Sequence, residues 1–338
     1  MPNAMPKMSR RTFIGGAAAL AARPLLAQPN EWQDVVSIAR TWEQCHAIVI
    51  HREGRQELSV RFRGPSIDRV VPIKSVSKTV VAALAGAALD RGEIPTVKTT
   101  MGDLVPALIP RKADPKVKAI TIENLITMQA GLERTSGVNY GGWVSSSNWV
   151  ANALSRPMVA EPGTRMLYST GSSHILGAVL SEVSGKSLLS LARERIGRPL
   201  GIQIPAWTRD PQGRYLGGNE MALTLSSMIR FGELYRNGGR AGGKQVLSER
   251  WIKQSQVPVT RSMFSGLGYG YGWFIGASHG ESYALARGYG GQIICIIPNL
   301  AITLAITSDP MRAARSAGYF GDLMRLIEQT IIPFALAT

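Results

Sequence analysis

Cysteine and histidine are scarce in this chain. Two cysteines, Cys45 and Cys295, and four histidines, His46, His51, His174 and His279, are spread over 338 residues. None of them falls at zinc-ligand spacing, so no metal site is expected, and nothing in the sequence calls for a cofactor. Both cysteines lie in apolar, strand-like runs, "CHAIVIH" and "QIICIIP", and are read as buried free thiols rather than a disulfide. Acidic residues are few: 23 Asp and Glu stand against 38 Lys and Arg, a net charge of +15. The basic residues are scattered rather than run together, and no nucleic-acid motif accompanies them. The excess therefore reads as solubility charge, with no nucleic-acid partner expected. Internal repeats are absent, and no low-complexity tract appears after the first 30 residues. Long apolar runs are lacking too. The most apolar early segment, Phe13 to about Ala27, is broken by Arg23, which argues against a spanning helix.

What that segment does have is Arg10-Arg11 ahead of an Ala/Gly-rich stretch, the pattern of a twin-arginine export signal over residues 1–27. The protein is accordingly expected to be exported, to the periplasm, with no stable span once the signal is removed. The chain as a whole is rich in apolar residues (45%) and glycine (36 residues), as suits a loop-rich α/β enzyme.

"AIVIHREGRQELSVRFRG" reads as a hairpin turning at Glu53-Gly54. A helix follows from Ser75 to Arg91, stopped by Gly92. From Pro95 to about Gly218 the punctuation is helical, with Thr121 as one cap; beyond that block Thr224 and Ser248 cap two more helices. The chain then returns to strands, "GYGWFIG", "QIICIIP" and "AITLAITS", before a last helix from about Tyr319 to Ile331. Strands at both ends predict one antiparallel sheet flanked by helices, an α/β fold assembled from 28–94 and 219–338. Residues 95–218 would be a mainly helical insertion.

Three serine patterns compete for a catalytic role. "GASHG" matches the G-x-S-x-G elbow at Ser278, but strands flank it and no histidine follows His279, so Ser278 is read as a hairpin serine. Ser146 lies in S-x-N with Asn148. Ser75 and Lys78 form the only S-x-x-K among ten lysines. One helical turn apart, they project on one face. A serine needs a base to become nucleophilic, and a lysine serves only when burial keeps it partly neutral. Lys78 lies inside an apolar run, and Ser75, at the helix start, offers its own amide to an oxyanion. For a second proton carrier Tyr168, after P-G-T, and Ser146 are both candidates. Tyr235, in Y-x-N, is discounted beside its glycine stop.

The series "KSVSKTVVAALAGAALDRGEI", "ITIENLITMQAGL", "PGTRMLYSTGSSHILGAVLSEVSGKSL", "RPLGI", "GGNEMALTLSSMIRFGELYRNGG", "GYGYGW" and "RGYGGQIICIIPN" resembles, in order, the serine β-lactamase-like and penicillin-binding-protein-like superfamily. Within it the chain looks most like the 6-aminohexanoate-dimer hydrolase and esterase branch. The resemblance implies Ser75 as the acylated nucleophile, Lys78 as its partner and Tyr168 as the proton shuttle. It implies an oxyanion hole from the Ser75 and Tyr289 amides, and substrate contacts at Thr170, Arg287 and Gly288. Two positions depart from the pattern: Thr170 stands for an asparagine, and Ala286 for a lysine or histidine that would hold a substrate carboxylate. The function implied is hydrolysis of a small ester, amide or short peptide. A β-lactamase, a D-Ala-D-Ala carboxypeptidase and a non-catalytic sensor are the alternatives.

Overall fold

The computed structural model describes Met1 and residues 32–338; the expected export signal, Met1 apart, lies outside the described residues. Strands β1 (Cys45–Arg52) and β2 (Arg55–Arg61) form the first hairpin. Its turn residues Glu53 and Gly54 both have positive φ, 52° and 76°, which matches the twist of the flanking strands. Six more strands follow late in the chain: β3 (Thr260–Arg261), β4 (Gly268–Tyr269), β5 (Phe274–Ser278), β6 (Glu281–Gly288), β7 (Gln292–Ile297) and β8 (Ile302–Ser308). All eight form one sheet in the order β2-β1-β8-β7-β6-β5-β4-β3. The two ends of the chain meet where β1 pairs antiparallel with β8, Ile48 opposite Ile306 and Ile50 opposite Leu304.

Of "GYGWFIG", predicted as one strand, only the part from Phe274 on is strand. Gly272 (φ +80°) turns the chain between β4 and β5, and the Gly270 amide donates to the Trp273 carbonyl across the break. β7 and β8 are buried at every position, the mark of central strands covered on both faces. Their residues alternate between two cores. Ile294, Ile296 and Ala305 pack with Phe231 and Met228 of helix Leu225–Arg236. Ile293, Cys295, Leu304 and Ile306 pack with Val35 of helix Gln33–Arg40 and with Phe320 and Leu323 of helix Tyr319–Leu326. Cys45 and Cys295 are buried free thiols.

Helix α1 (Ser77–Asp90) is apolar around its whole circumference, and its residues are buried from Ser77 to Ala88. It packs against α2 (Thr170–Ser184), itself buried from Thr170 to Leu180. Short capped helices fill the stretch between them; Thr121 and Asn124 make a reciprocal capping box. Thr224 and Ser248 cap their helices as the sequence predicts. Helix α1 starts later than its sequence suggests, because Lys74–Val76 forms a 3-10 turn ahead of it. Among the described residues no single helix is long and apolar enough to cross a membrane.

Candidate active site

The turn that carries Ser75 is pinned from several sides. Lys74 adopts φ +52°, a left-handed conformation that a side chain disfavours. The Ser77 hydroxyl donates to the Lys74 carbonyl at 2.6 Å and accepts from the Met221 amide at 3.3 Å. Val71–Pro72 pairs with Ala222–Leu223 as a two-residue ribbon. Lys74 Nζ reaches Glu220 Oε1 at 3.1 Å, and Glu220 is itself left-handed at φ +63°. Ser77 is thus a structural residue that ties the turn to residues 220–223.

Ser75 and Lys78 come together as their spacing predicts. Lys78 Nζ lies 2.8 Å from Ser75 Oγ, 3.2 Å from Thr170 Oγ1 and 2.6 Å from the Gly218 carbonyl. Lys78 is 3% exposed. Burial lowers its pKa from 10.5 to about 7, so a large share of the amine is neutral near pH 7. A neutral amine has two N–H donors and one lone pair. Gly218 O can only accept and Thr170 Oγ1 is able to, which leaves the lone pair for the Ser75 hydroxyl.

Tyr168 packs on Phe274, ring centroids 6.0 Å apart, and its ring centroid is 5.2 Å from Lys78 Nζ. Burial raises the pKa of its hydroxyl; a hydrogen bond with Ser75 and the charge of Arg287 pull it part of the way back. Thr170, a departure in the sequence, keeps a place in the network. Its hydroxyl bonds Lys78 and, at 3.0 Å, Ser136 Oγ, and its amide donates to Ser136 Oγ at 2.9 Å. Ser136 was not legible as a site residue: 34 positions separate it from Thr170 and no motif contains it. Asn219, whose amide nitrogen donates to the Tyr140 hydroxyl at 3.1 Å, was not legible either.

The end of β6 is pressed against the Ser75 turn. A Cβ added at Gly288 would sit 2.4 Å from the Ile73 carbonyl oxygen, so only glycine lets the strand come this close. Tyr289 follows at the rim, over half exposed, and Gln44 Nε2 holds the next carbonyl, Gly290 O, at 3.0 Å. Of the positions around it, Ala286 is wholly buried in the core between sheet and helix, and Arg287 lines the cavity. The guanidinium carbon of Arg287 lies 3.4 Å from the Phe320 ring centroid. A cation therefore stands in the cavity one residue after the position at which the sequence pattern lacks it.

These groups open into a cavity of about 1100 Å³, lined by Ser75, Tyr168, Thr170, Arg287, Gly288 and Tyr289 together with residues from both the sheet and the helical stretch. The rival candidates lie elsewhere. Ser278 ends β5 before the His279-Gly280 turn and donates to the Glu328 carbonyl at 3.1 Å. Ser146 donates to the Trp143 carbonyl and lines a separate, smaller hollow with Asn148. Tyr235 is buried against Phe231 and Trp273.

Known proteins share this architecture. A protein of Bacillus anthracis designated a 6-aminohexanoate-dimer hydrolase superposes with a TM-score of 0.73 at 18% identity, covering 90% of this chain and 81% of its own. One of Bacteroides dorei DSM 17855 designated a β-lactamase superposes with a TM-score of 0.74 at 20% identity, covering 90% and 98%. At such identities the likeness is one of fold. In sequence, penicillin-binding protein 4 of Amycolatopsis lactamdurans is 22% identical over 295 residues, 76% of either chain. The Beta-lactamase family model matches residues 47–326, and with a match of that extent the chain belongs to the β-lactamase family, a family of serine hydrolases.

Proposed function

We propose that this protein cleaves ester or amide bonds through an acyl-enzyme at Ser75. The observation that carries the reading is the Ser75–Lys78 pair, a 2.8 Å contact to an amine that burial holds near pKa 7. In acylation the Ser75 Oγ–carbon bond forms as the Ser75 proton passes to Lys78 Nζ. The oxyanion takes hydrogen bonds from the Ser75 and Tyr289 amides, a reading supported by the close approach of Gly288 to the turn that carries Ser75. As the bond to the leaving group breaks, Tyr168 delivers the proton that group needs, and Lys78 re-protonates Tyr168. Water attacks the acyl-enzyme by the reverse relay. Arg287 and Thr170 flank the substrate. The division at 94/95 and 218/219 sets the cavity between the sheet domain and the helical insertion. The twin-arginine pattern supports export to the periplasm.

A second reading, action on a β-lactam or a D-alanyl peptide, is favoured by one observation, the Arg287 cation in the cavity. One panel separates the two: nitrophenyl esters, 6-aminohexanoate dimer, a chromogenic cephalosporin and D-alanyl peptides. A fluorophosphonate adduct is expected on the Ser75 peptide and absent in Ser75→Ala, while Ser278→Ala still labels. Unchanged ester turnover in Ser75→Ala would overturn the proposal.

A further inference from the structure

The charge that is scattered along the sequence is gathered in space. Five cationic side chains line the cavity, Lys74, Arg134, Arg165, Arg287 and Arg315, against one carboxylate, Glu220. Glu220 is already engaged by Lys74. Among the described residues none of the four arginines enters an ion pair. They arrive from four separate segments. Arg287 belongs to the reacting end, beside Tyr168, whereas Arg165 and Arg315 are exposed and Arg134 half-buried. The guanidinium carbon of Arg134 lies 5.4 Å from the Phe264 ring centroid, within reach of a cation–π contact at the same mouth. Like charges assembled around one cavity repel each other in the free protein, and that repulsion is relieved when an anion enters. The same mouth exposes Met263 (80%), Phe264 (67%) and Met311 (80%), apolar side chains that a solvated mouth would not call for.

We infer that Arg134, Arg165 and Arg315 form an anion-recognition rim, so that the preferred substrate carries an oxyanion, carboxylate or phosphate type, separated from its scissile carbonyl by a hydrocarbon spacer lying on Met263, Phe264 and Met311. This rests on the reading of Ser75 as the acylated nucleophile. Guanidinium edges suit both oxyanion types, because each offers two oxygens to a forked donor. The rim is distinct from Arg287: an anion there sits at the solvent end of the acyl or leaving group, away from Tyr168.

Three 4-nitrophenyl esters of similar length test the inference: hexanoate, the adipate monoester, and the analogue ending in a phosphonate. At low ionic strength kcat/KM for at least one acidic ester is expected to exceed that for hexanoate about tenfold, and the acid that does so identifies the anion. The advantage should shrink severalfold in 1 M NaCl, where charges are screened beyond about 3 Å. In the triple variant Arg134→Gln, Arg165→Gln, Arg315→Gln, the ratio of acidic to neutral ester should fall towards one, with thermal melting confirming that the variant is folded. A wild-type ratio at or below one, with Ser75 still labelled and hexanoate still turned over, overturns the rim. So does a triple variant that keeps the wild-type ratio. Absence of any Ser75 adduct and of turnover on all three esters overturns instead the reading beneath it.

Discussion

Replacing Lys78 by methionine separates what the buried amine does for chemistry from what it costs the fold. In the unfolded chain the amine holds its proton up to about pH 10.5, and in the folded chain burial lowers its pKa to about 7. Between these values the unfolded state binds one more proton than the native state. The free energy of unfolding therefore climbs with pH by about 1.4 kcal/mol per pH unit across that window. Over the whole window this amounts to roughly 5 kcal/mol, absent at pH 7 and below and fully present above about pH 10.5. Methionine fills a similar volume and carries no proton, but it leaves the Gly218 carbonyl without its 2.6 Å donor. An unpaired buried acceptor costs about 1–3 kcal/mol. At pH 6–7 Lys78→Met should thus be the more stable protein by roughly 2–4 kcal/mol, and the difference should close and change sign as pH approaches 10. Urea unfolding of both proteins at constant ionic strength, stepped from pH 6 to 10, measures the difference directly, because every other titrating group cancels. The wild-type kcat/KM should rise with pH through an apparent pKa of about 7, the limb on which Lys78 becomes a base, and the variant should lack turnover altogether. A stability difference that does not vary with pH would refute the claim that burial holds Lys78 neutral.

Two further substitutions test the remainder of the relay. Tyr168→Phe keeps the packing on Phe274 and Tyr269, so melting should change little; loss of the shuttling hydroxyl should lower kcat by about 10²–10⁴. Single-turnover kinetics with an unactivated amide or ester will show it, and near wild-type rates would remove Tyr168 from the mechanism. Gly288→Ala drives a methyl to within 2.4 Å of the Ile73 carbonyl, which must push β6 off the Ser75 turn. Turnover should collapse in a protein that still folds by circular dichroism, and retained activity would show that the close approach does not set the oxyanion geometry.

Much of the fold was legible because its signals are local. "QIICII" and "ITLAITS" are apolar at every position, and only a strand with both faces covered tolerates that. Thr121, Thr224 and Ser248 announce helices through hydroxyls that must find the first free amides. The S-x-x-K spacing likewise states a geometry, since one helical turn sets two side chains on one face. What could not be read was whatever the tertiary structure brings together from a distance. Thr170 stands where the family pattern has an asparagine, and its partnership with Ser136 exists only because the chain folds residue 136 back over the start of α2. The register of β6 decides that Ala286 enters the core and Arg287 the cavity, and a one-residue choice of that kind reverses every side chain on a strand.

Lys74 and Glu220 show why the Ser75 turn in particular resists sequence reading. Both are left-handed without being glycine, and each such residue costs about 1–3 kcal/mol and persists only where its surroundings impose it. A sequence marks left-handed positions by glycine or asparagine, so these two are silent. Their surroundings are the Lys74–Glu220 ion pair, the Ser77 hydroxyl between Lys74 O and Met221 N, and the short ribbon of Val71–Pro72 with Ala222–Leu223. Each strained residue thus holds the other in place across the cavity. The strain falls one residue before Ser75 and two after Gly218, whose carbonyl anchors Lys78. The same contacts that force the unfavourable backbone therefore position both members of the reacting pair. A substitution that relaxed the turn would stabilise the chain locally while loosening the 2.8 Å contact on which the chemistry depends.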